Sequence, residues 1–197
     1  MDSTEATDTL DPTQRTALIE VARRSIEHGL SNGRPLDLNL SDYPTSLQVV
    51  RASFVTLRRH GRLRGCIGHL EALQALVIDV AENAFAAAFS DPRFKPLTQR
   101  QWPKVRLHLS ILTPPQLLNC RDQTDLLGQL RPGEDGLILQ EDAQRGTFLP
   151  AVWESLPDPI DFLTELKRKA GLAPNHWSDQ LQVYRYRADT FGEAEDA

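Results

Sequence analysis

The run Leu63-Arg64-Gly65-Cys66-Ile67-Gly68-His69 gathers most of the residue types that could do chemistry in a chain with two cysteines and five histidines. If Leu63 to Ile67 is extended, Arg64 and Cys66 point to the same face, because side chains alternate along a strand. A guanidinium beside the sulfur, and the free N–H groups of a following helix, favour thiolate, the form that acts as nucleophile or metal ligand. This spacing nominates Cys66 as a catalytic thiol and Arg64 as its electrostatic partner. Gly65 and Gly68 carry no side chain and let a ligand or another backbone approach closely, which would make them the wall of a pocket. The competing account is a small buried cysteine in a glycine-lined turn, since free cysteine is among the most buried residue types. Residue types alone leave both accounts standing.

Other groups are weaker candidates. Cys66 and His69 have a spacing that can chelate, but a zinc or iron site needs three or four ligands, and no second Cys/His pair accompanies them. His60 and His108 are scattered, so no metal site is expected and His69 is assigned to substrate binding. Gly65-Cys66-Ile67-Gly68 also fits the GxxG loop that clamps a nucleic-acid backbone, but that loop joins two helices in a basic setting, and this one leaves a hairpin in an acidic chain. The lysine of a phosphate-binding P-loop is missing. Arg93 and Arg145 can bind a carboxylate or phosphate through their planar forks, and structural ion pairs explain them equally well. Glu82 reads as solvated, and Asp91 as the cap of a helix-ending turn. No residue pattern names a cofactor.

The elements that must hold these groups are legible from periodicity and punctuation. Asp11-Pro12-Thr13-Gln14 is a helix start with a capping box, and Leu18, Val21, Ala22 and Ile26 continue it until His28-Gly29. Turn formers from Ser31 to Pro44 read as a loop with a short extended piece at 36–40. The β-type run 52–57, the turn Arg58-Arg59-His60-Gly61 and the return through Arg62-Leu63-Arg64 form a hairpin that delivers the Cys66 segment. Apolar positions from Leu73 to Phe89 mark a helix that Ser90-Asp91-Pro92 stops. Residues 105–111 alternate as a sheet strand. A short helix near 122–130, strands at 137–140 and 147–149, a helix from Asp158-Pro159 to Gly171 and a last strand at 181–187 complete the chain.

Two stretches echo each other: a hairpin ending in Arg64-Gly65 before a helix, and a hairpin ending in Arg145-Gly146 before a helix. This order favours an α+β fold over the alternating units of a doubly wound sheet. The chain fits one domain at 12–190, divisible into two lobes, with polar, acidic tails at 1–11 and 191–197. A net charge of −5 argues against a protein whose main partner is a nucleic-acid backbone, although it leaves room for a local basic patch. No apolar run is long enough to span a bilayer, the first residues lack the pattern of a signal peptide, and the cytoplasm is the expected compartment. There Cys66 and Cys120 are expected as free thiols.

The string Phe54-Val55-Thr56-Leu57 followed by Leu63-Arg64-Gly65-Cys66-Ile67-Gly68 resembles the AMMECR family, whose bacterial members are called AmmeMemoRadiSam system protein A. Further matches follow in order: Asp79-Val80-Ala81-Glu82-Asn83-Ala84, Asp91-Pro92-Arg93-Phe94, Leu112-Thr113-Pro114-Pro115, Arg145-Gly146-Thr147-Phe148-Leu149-Pro150 and Lys169-Ala170-Gly171-Leu172. They extend from about Thr16 to Tyr186. His69 departs from the family's usual threonine, and Ala151 from its usual glutamine. The resemblance implies two β/α repeats around one barrel-like, largely antiparallel sheet with helices outside and a cleft near the signature. It also implies company, because relatives occur beside Memo-like and radical-SAM proteins. Two functional readings follow: an enzyme or enzyme component with a reactive thiol acting on a small molecule or modified residue, and a non-catalytic adaptor for those partners.

Overall fold

The computed structural model of the protein describes residues 10–194. Along the chain run α1 (Pro12–Asn32), α2 (Thr45–Gln48), β1 (Ser53–Arg59), β2 (Arg62–Gly68), α3 (Leu76–Phe89), β3 (Val105–Leu112) and β4 (Gln116–Leu118). They are followed by α4 (Gln123–Gln129), β5 (Gly136–Glu141), β6 (Gln144–Phe148), α5 (Pro159–Ala170), β7 (Gln182–Tyr186) and β8 (Ala188–Gly192). The fold is α+β. The chain divides into two compact units, one reaching to Leu112 and resuming at Asp189, the other spanning Thr113–Ala188.

The first unit holds a sheet in the order β2-β1-β3-β8, and the second a sheet in the order β4-β7-β5-β6. Every described strand pair is antiparallel. The two-repeat expectation therefore holds, but not as one barrel-like sheet: there are two open sheets, ending at β2 and β8 and at β4 and β6. In each repeat a hairpin, a helix and a third strand form a local sheet. The strand after β3 joins the second sheet, and the strand after β7 joins the first.

Two glycines explain the Arg-Gly echo. A Cβ on Gly65 would stand 2.1 Å from the Ala87 carbonyl oxygen of α3, and one on Gly146 would stand 2.7 Å from the Ala170 nitrogen of α5. Each glycine lies where the closing helix presses on the second strand of its hairpin, a contact that no side chain permits. Their cross-strand partners are Leu57 and Leu139, both fully buried.

In the first unit, α3 buries Leu76, Val77, Val80, Ala84 and Ala88 in a core shared with Leu18, Val21 and Ile26 of α1 and with Val55, Leu57, Leu107 and Leu109 of the sheet. The capping box at Asp11 and Gln14 forms as expected. However, α1 continues past Gly29 and stops at Gly33, whose φ of 69° only glycine adopts cheaply. Gly29 instead makes room for Phe85 and Phe89, which a Cβ there would meet at 2.7 and 2.5 Å. Residues 36–40 form no strand. In the second unit, Trp153 stacks on Phe162 at 3.8 Å, and Phe148 meets the same ring edge-on.

The inner ends of the expected tails have defined places. Leu10 is buried and its N–H donates to Asp189, while Phe191 and Gly192 finish β8. The remainder, residues 1–9 and 195–197, lies outside the described residues. Among the described residues, no helix is long and apolar enough to cross a membrane.

Candidate functional site

The two-residue turn His60-Gly61, both at positive φ, closes the β1–β2 hairpin and makes β2 the edge of its sheet. An edge strand exposes backbone N–H and C=O groups that require partners. At Cys66 these partners come from the turn after α3. Asp91 Oδ2 accepts the Cys66 N–H at 2.8 Å, and Arg93 Nη2 donates to the Cys66 carbonyl at 3.2 Å. Asp91 and Arg93 also grip each other, through Nη2 to Oδ2 at 2.7 Å and Nε to Oδ1 at 3.0 Å. The Arg93 N–H closes an Asx turn on Oδ1 at 3.1 Å, which is the capping role expected of Asp91. One carboxylate thus shapes the turn after α3, pairs with an arginine and fixes the backbone of the motif cysteine.

The electrostatics follow this geometry. Arg93's hydrogen bonds hold the Asp91 carboxyl far below the usual carboxylate range, with the Cys66 N–H adding to the effect. Asp91's hydrogen bond in turn raises the pKa of the Arg93 guanidinium. The Cys66 side chain is half-buried, and the Thr56 hydroxyl on the neighbouring strand donates to its sulfur at 3.2 Å.

The expected pairing of Arg64 with this sulfur takes a different form. The strand alternation is present, but the Arg64 guanidinium donates to the Lys95 carbonyl at 2.7 Å and to Gln101 Oε1 at 3.2 Å, and lies over Phe94. Burial lowers its pKa first and the neighbouring Arg59 lowers it further, against a smaller raising effect of Asp91. The arginine that touches Cys66 is Arg93. Gly65 and Gly68 also differ from a pocket wall: α3 occupies the space at Gly65, and Ser53 O lies 2.3 Å from where a Gly68 Cβ would stand. The close approach is made by the chain's own backbone.

Past the end of β2, His69 Nε2 lies 2.6 Å from Oδ1 of the fully buried Asp79, at an angle outside hydrogen-bond geometry. The other oxygen, Oδ2, accepts three bonds: the Ser53 N–H at 2.9 Å, the Ser53 hydroxyl at 2.6 Å and Asn83 Nδ2 at 2.9 Å. This network ties α3 to the start of β1 beside the motif. Sequence reasoning passed over Ser53, Thr56, Asp79 and Asn83 as functional groups. A signal was available for two of them, because Asp79 and Asn83 sit one turn apart among the apolar positions of α3.

Arg145 belongs to the second unit, on β6 opposite Gln140. Glu82 is exposed and accepts from Gln74 at 2.6 Å. Cys120 is a half-buried free thiol whose pKa burial pushes up. Among the described residues, no three His, Cys, Asp or Glu side chains converge as a metal site.

A family model described as AMMECR1 matches residues 19–191. A protein of Methanothermobacter thermautotrophicus is 37% identical over 182 residues, covering 89% of this chain and 92% of its own. One from Saccharolobus solfataricus is 38% identical over 183 residues, covering 89% of this chain and 80% of its own. Among solved structures, an uncharacterised protein from Pyrococcus horikoshii superposes with a TM-score of 0.79 at 33% identity, covering 91% of each chain.

Proposed function

The chain belongs to the AMMECR1 family, and from that premise we propose that the Leu63–Gly68 edge is the working site of an enzyme or enzyme component whose Cys66 thiol acts on a small molecule or a modified residue. The observation that carries this reading is the double hold on Cys66. Its backbone is clamped by Asp91 and Arg93, while its half-buried sulfur takes a hydrogen bond from Thr56. The hydroxyl donor orients the sulfur, and the Asp91–Arg93 clamp fixes the strand that carries it. In the step this arrangement serves, the thiol proton leaves to solvent and the sulfur pair bonds to an electrophilic carbon of the ligand. The pair displaced from that carbon moves to the ligand's own oxygen or leaving atom. On this reading the chemistry runs in the cytoplasm, with Memo-like and radical-SAM proteins as its proposed partners.

Alkylation kinetics test the reading, with Cys120 as the internal comparator. Iodoacetamide, followed by peptide mass spectrometry near neutral pH, is expected to label Cys66 faster than Cys120, and Thr56→Val is expected to slow Cys66 alone. Equal rates at the two thiols, or no effect of Thr56→Val, would remove the reactive-thiol part.

A second reading, a binding module for those partners, has its own support. Val50 is 57% exposed and Leu73 is 73% exposed, on the two segments joined by the Val50–Ala75 bridge. Under this reading Cys66→Ser leaves partner capture intact, whereas Val50→Ser with Leu73→Ser weakens it.

A further inference from the structure

Between Arg51 and Arg106 basic side chains outnumber acidic ones by ten to four, in a chain whose net charge is −5. The excess is most concentrated at the closed end of the β1–β2 hairpin. Arg59 and Arg62 stand directly opposite each other across the two strands, and Arg59 also lies close enough to Arg64 to lower its pKa. Like charges facing each other in a strand pair destabilise it. Here the cost is compounded by burial, for Arg59 and Arg64 are both half-buried.

Neither guanidinium is neutralised at close range, although the charge of Asp91 acts on Arg64 from farther off. Among the described residues no carboxylate forms an ion pair with Arg59 or Arg64, and the partners of Arg64 are a neutral carbonyl and a neutral amide. Two donor nitrogens, Arg59 Nε and Arg64 Nη1, are closed off from solvent without a hydrogen-bond acceptor. Buried guanidinium donors normally find carboxylate or phosphate partners, and leaving them unpaired is expensive. Arg93, by contrast, holds Asp91 in a bidentate pair through Nε and Nη2.

We infer that Arg59 and Arg64 form a binding site for a tetrahedral oxyanion, the phosphate of a small molecule or free phosphate, at the hairpin end of the first unit. The site goes beyond the thiol reading and does not rest on it. A doubly charged oxyanion offers several acceptors to two forks at once and cancels the repulsion between them. Arg62, across the strand pair from Arg59, adds a third positive charge beside the same turn.

Thermal unfolding and titration calorimetry with inorganic phosphate, against chloride at matched ionic strength, test the inference. Phosphate is expected to raise Tm saturably, and Arg59→Gln to weaken binding about ten- to hundredfold, the loss of one charged hydrogen-bonding partner. Phenyl phosphate in a parallel arm separates the sources. Equal affinity assigns free phosphate, and tighter binding assigns a phosphate ester. Because Arg59 loses no protein partner on substitution, Arg59→Gln in phosphate-free buffer is expected to leave Tm unchanged or higher. No saturable phosphate effect, undiminished binding by Arg59→Gln, or a phosphate-free Tm several degrees lower in that variant would each overturn the site. Cys66 alkylation measured on the same variant reports the thiol reading separately.

Discussion

Asp91 accepts the backbone N–H of Cys66 at 2.8 Å while its other contacts hold Arg93, so the order of the motif edge depends on a carboxylate 25 residues away in sequence. The Asp91 side chain is 2% exposed and that of Arg93 is 54% exposed, and the two ends of this pair should therefore respond differently to mutation. Asp91→Asn is expected to cost about 1.5–3 kcal/mol, because charged hydrogen bonds are lost at a buried atom. Arg93→Gln is expected to cost about 1 kcal/mol or less, since its fork is largely in water. Urea denaturation of the two variants checks the order.

The same carboxylate gives a pH dependence of known sign. Its folded pKa is depressed, so its contribution is fully present above the ordinary aspartate value of about 3.9 and is lost as pH falls toward the folded value. Wild-type stability should therefore fall more steeply below about pH 4 than that of Asp91→Asn, by denaturant titration at each pH. Parallel curves for the two proteins would show that Asp91 is not the group responsible.

Gly65 and Gly146 provide a packing test of the repeat. A methyl at Gly65 would sit 2.1 Å from a backbone oxygen, whereas one at Gly146 would meet three atoms of Ala170 at 2.7–2.8 Å. Both alanine variants are expected to destabilise by about 1–3 kcal/mol, with Gly65→Ala at or above the top of that range. Gly128 and Gly133 both have open space where a Cβ would stand, but Gly133 has a positive φ, so Gly128→Ala is the proper control and should be near neutral or stabilising.

Much of this architecture is legible in local sequence. The capped starts of α1 and α5, the His60-Gly61 turn, the alternation of β3 and the Arg-Gly echo are each decided by residues within a few positions of one another. What escaped is non-local. β4 has three residues after two prolines, and β8 is short, so neither shows an alternation long enough to read, and each is a strand only because of its partner. Alternation correctly placed Arg64 and Cys66 on one strand, but a guanidinium on a long stem goes to its best acceptors, here Lys95 O and Gln101. The Asp79 network joins residues 26 positions apart and has no local signature beyond an acid in an apolar stripe.

Tyr186 should set an alkaline limit to stability in the second unit. It is 2% exposed, its hydroxyl donates to the Phe148 carbonyl at 3.0 Å, and burial pushes its pKa up to about 12. A phenol with a raised folded pKa stabilises fully below the unfolded value of about 10, and this is lost as pH rises through the folded one. Tyr186→Phe is expected to cost about 0.5–1.5 kcal/mol at neutral pH and to flatten the decline between about pH 10 and 12. Denaturation followed by tryptophan fluorescence, with Trp153 in the core of the same unit as a reporter, measures both effects.

The network around Asp79 makes a graded prediction that separates fold from chemistry beside the motif. Asp79→Ala strips the acceptor from the Ser53 N–H and the Ser53 hydroxyl, while Asn83 keeps Ser53 O and Oγ, and should cost about 3 kcal/mol or more, since each buried donor left unpaired costs about 1–3 kcal/mol. Ser53→Ala removes the hydroxyl's bond to Asp79 and the one it accepts from Asn83 and should cost about 1.5–3 kcal/mol, with a double-mutant cycle against Asp79→Ala showing clear coupling. His69 is different: its side chain is 38% exposed and meets Asp79 outside hydrogen-bond geometry, so His69→Ala should cost about 1 kcal/mol or less. If His69→Ala proves as damaging as Ser53→Ala, the imidazole is part of the structural network. If it is nearly neutral, that variant keeps the fold, and any change in the rate of Cys66 alkylation then reports on the ring itself.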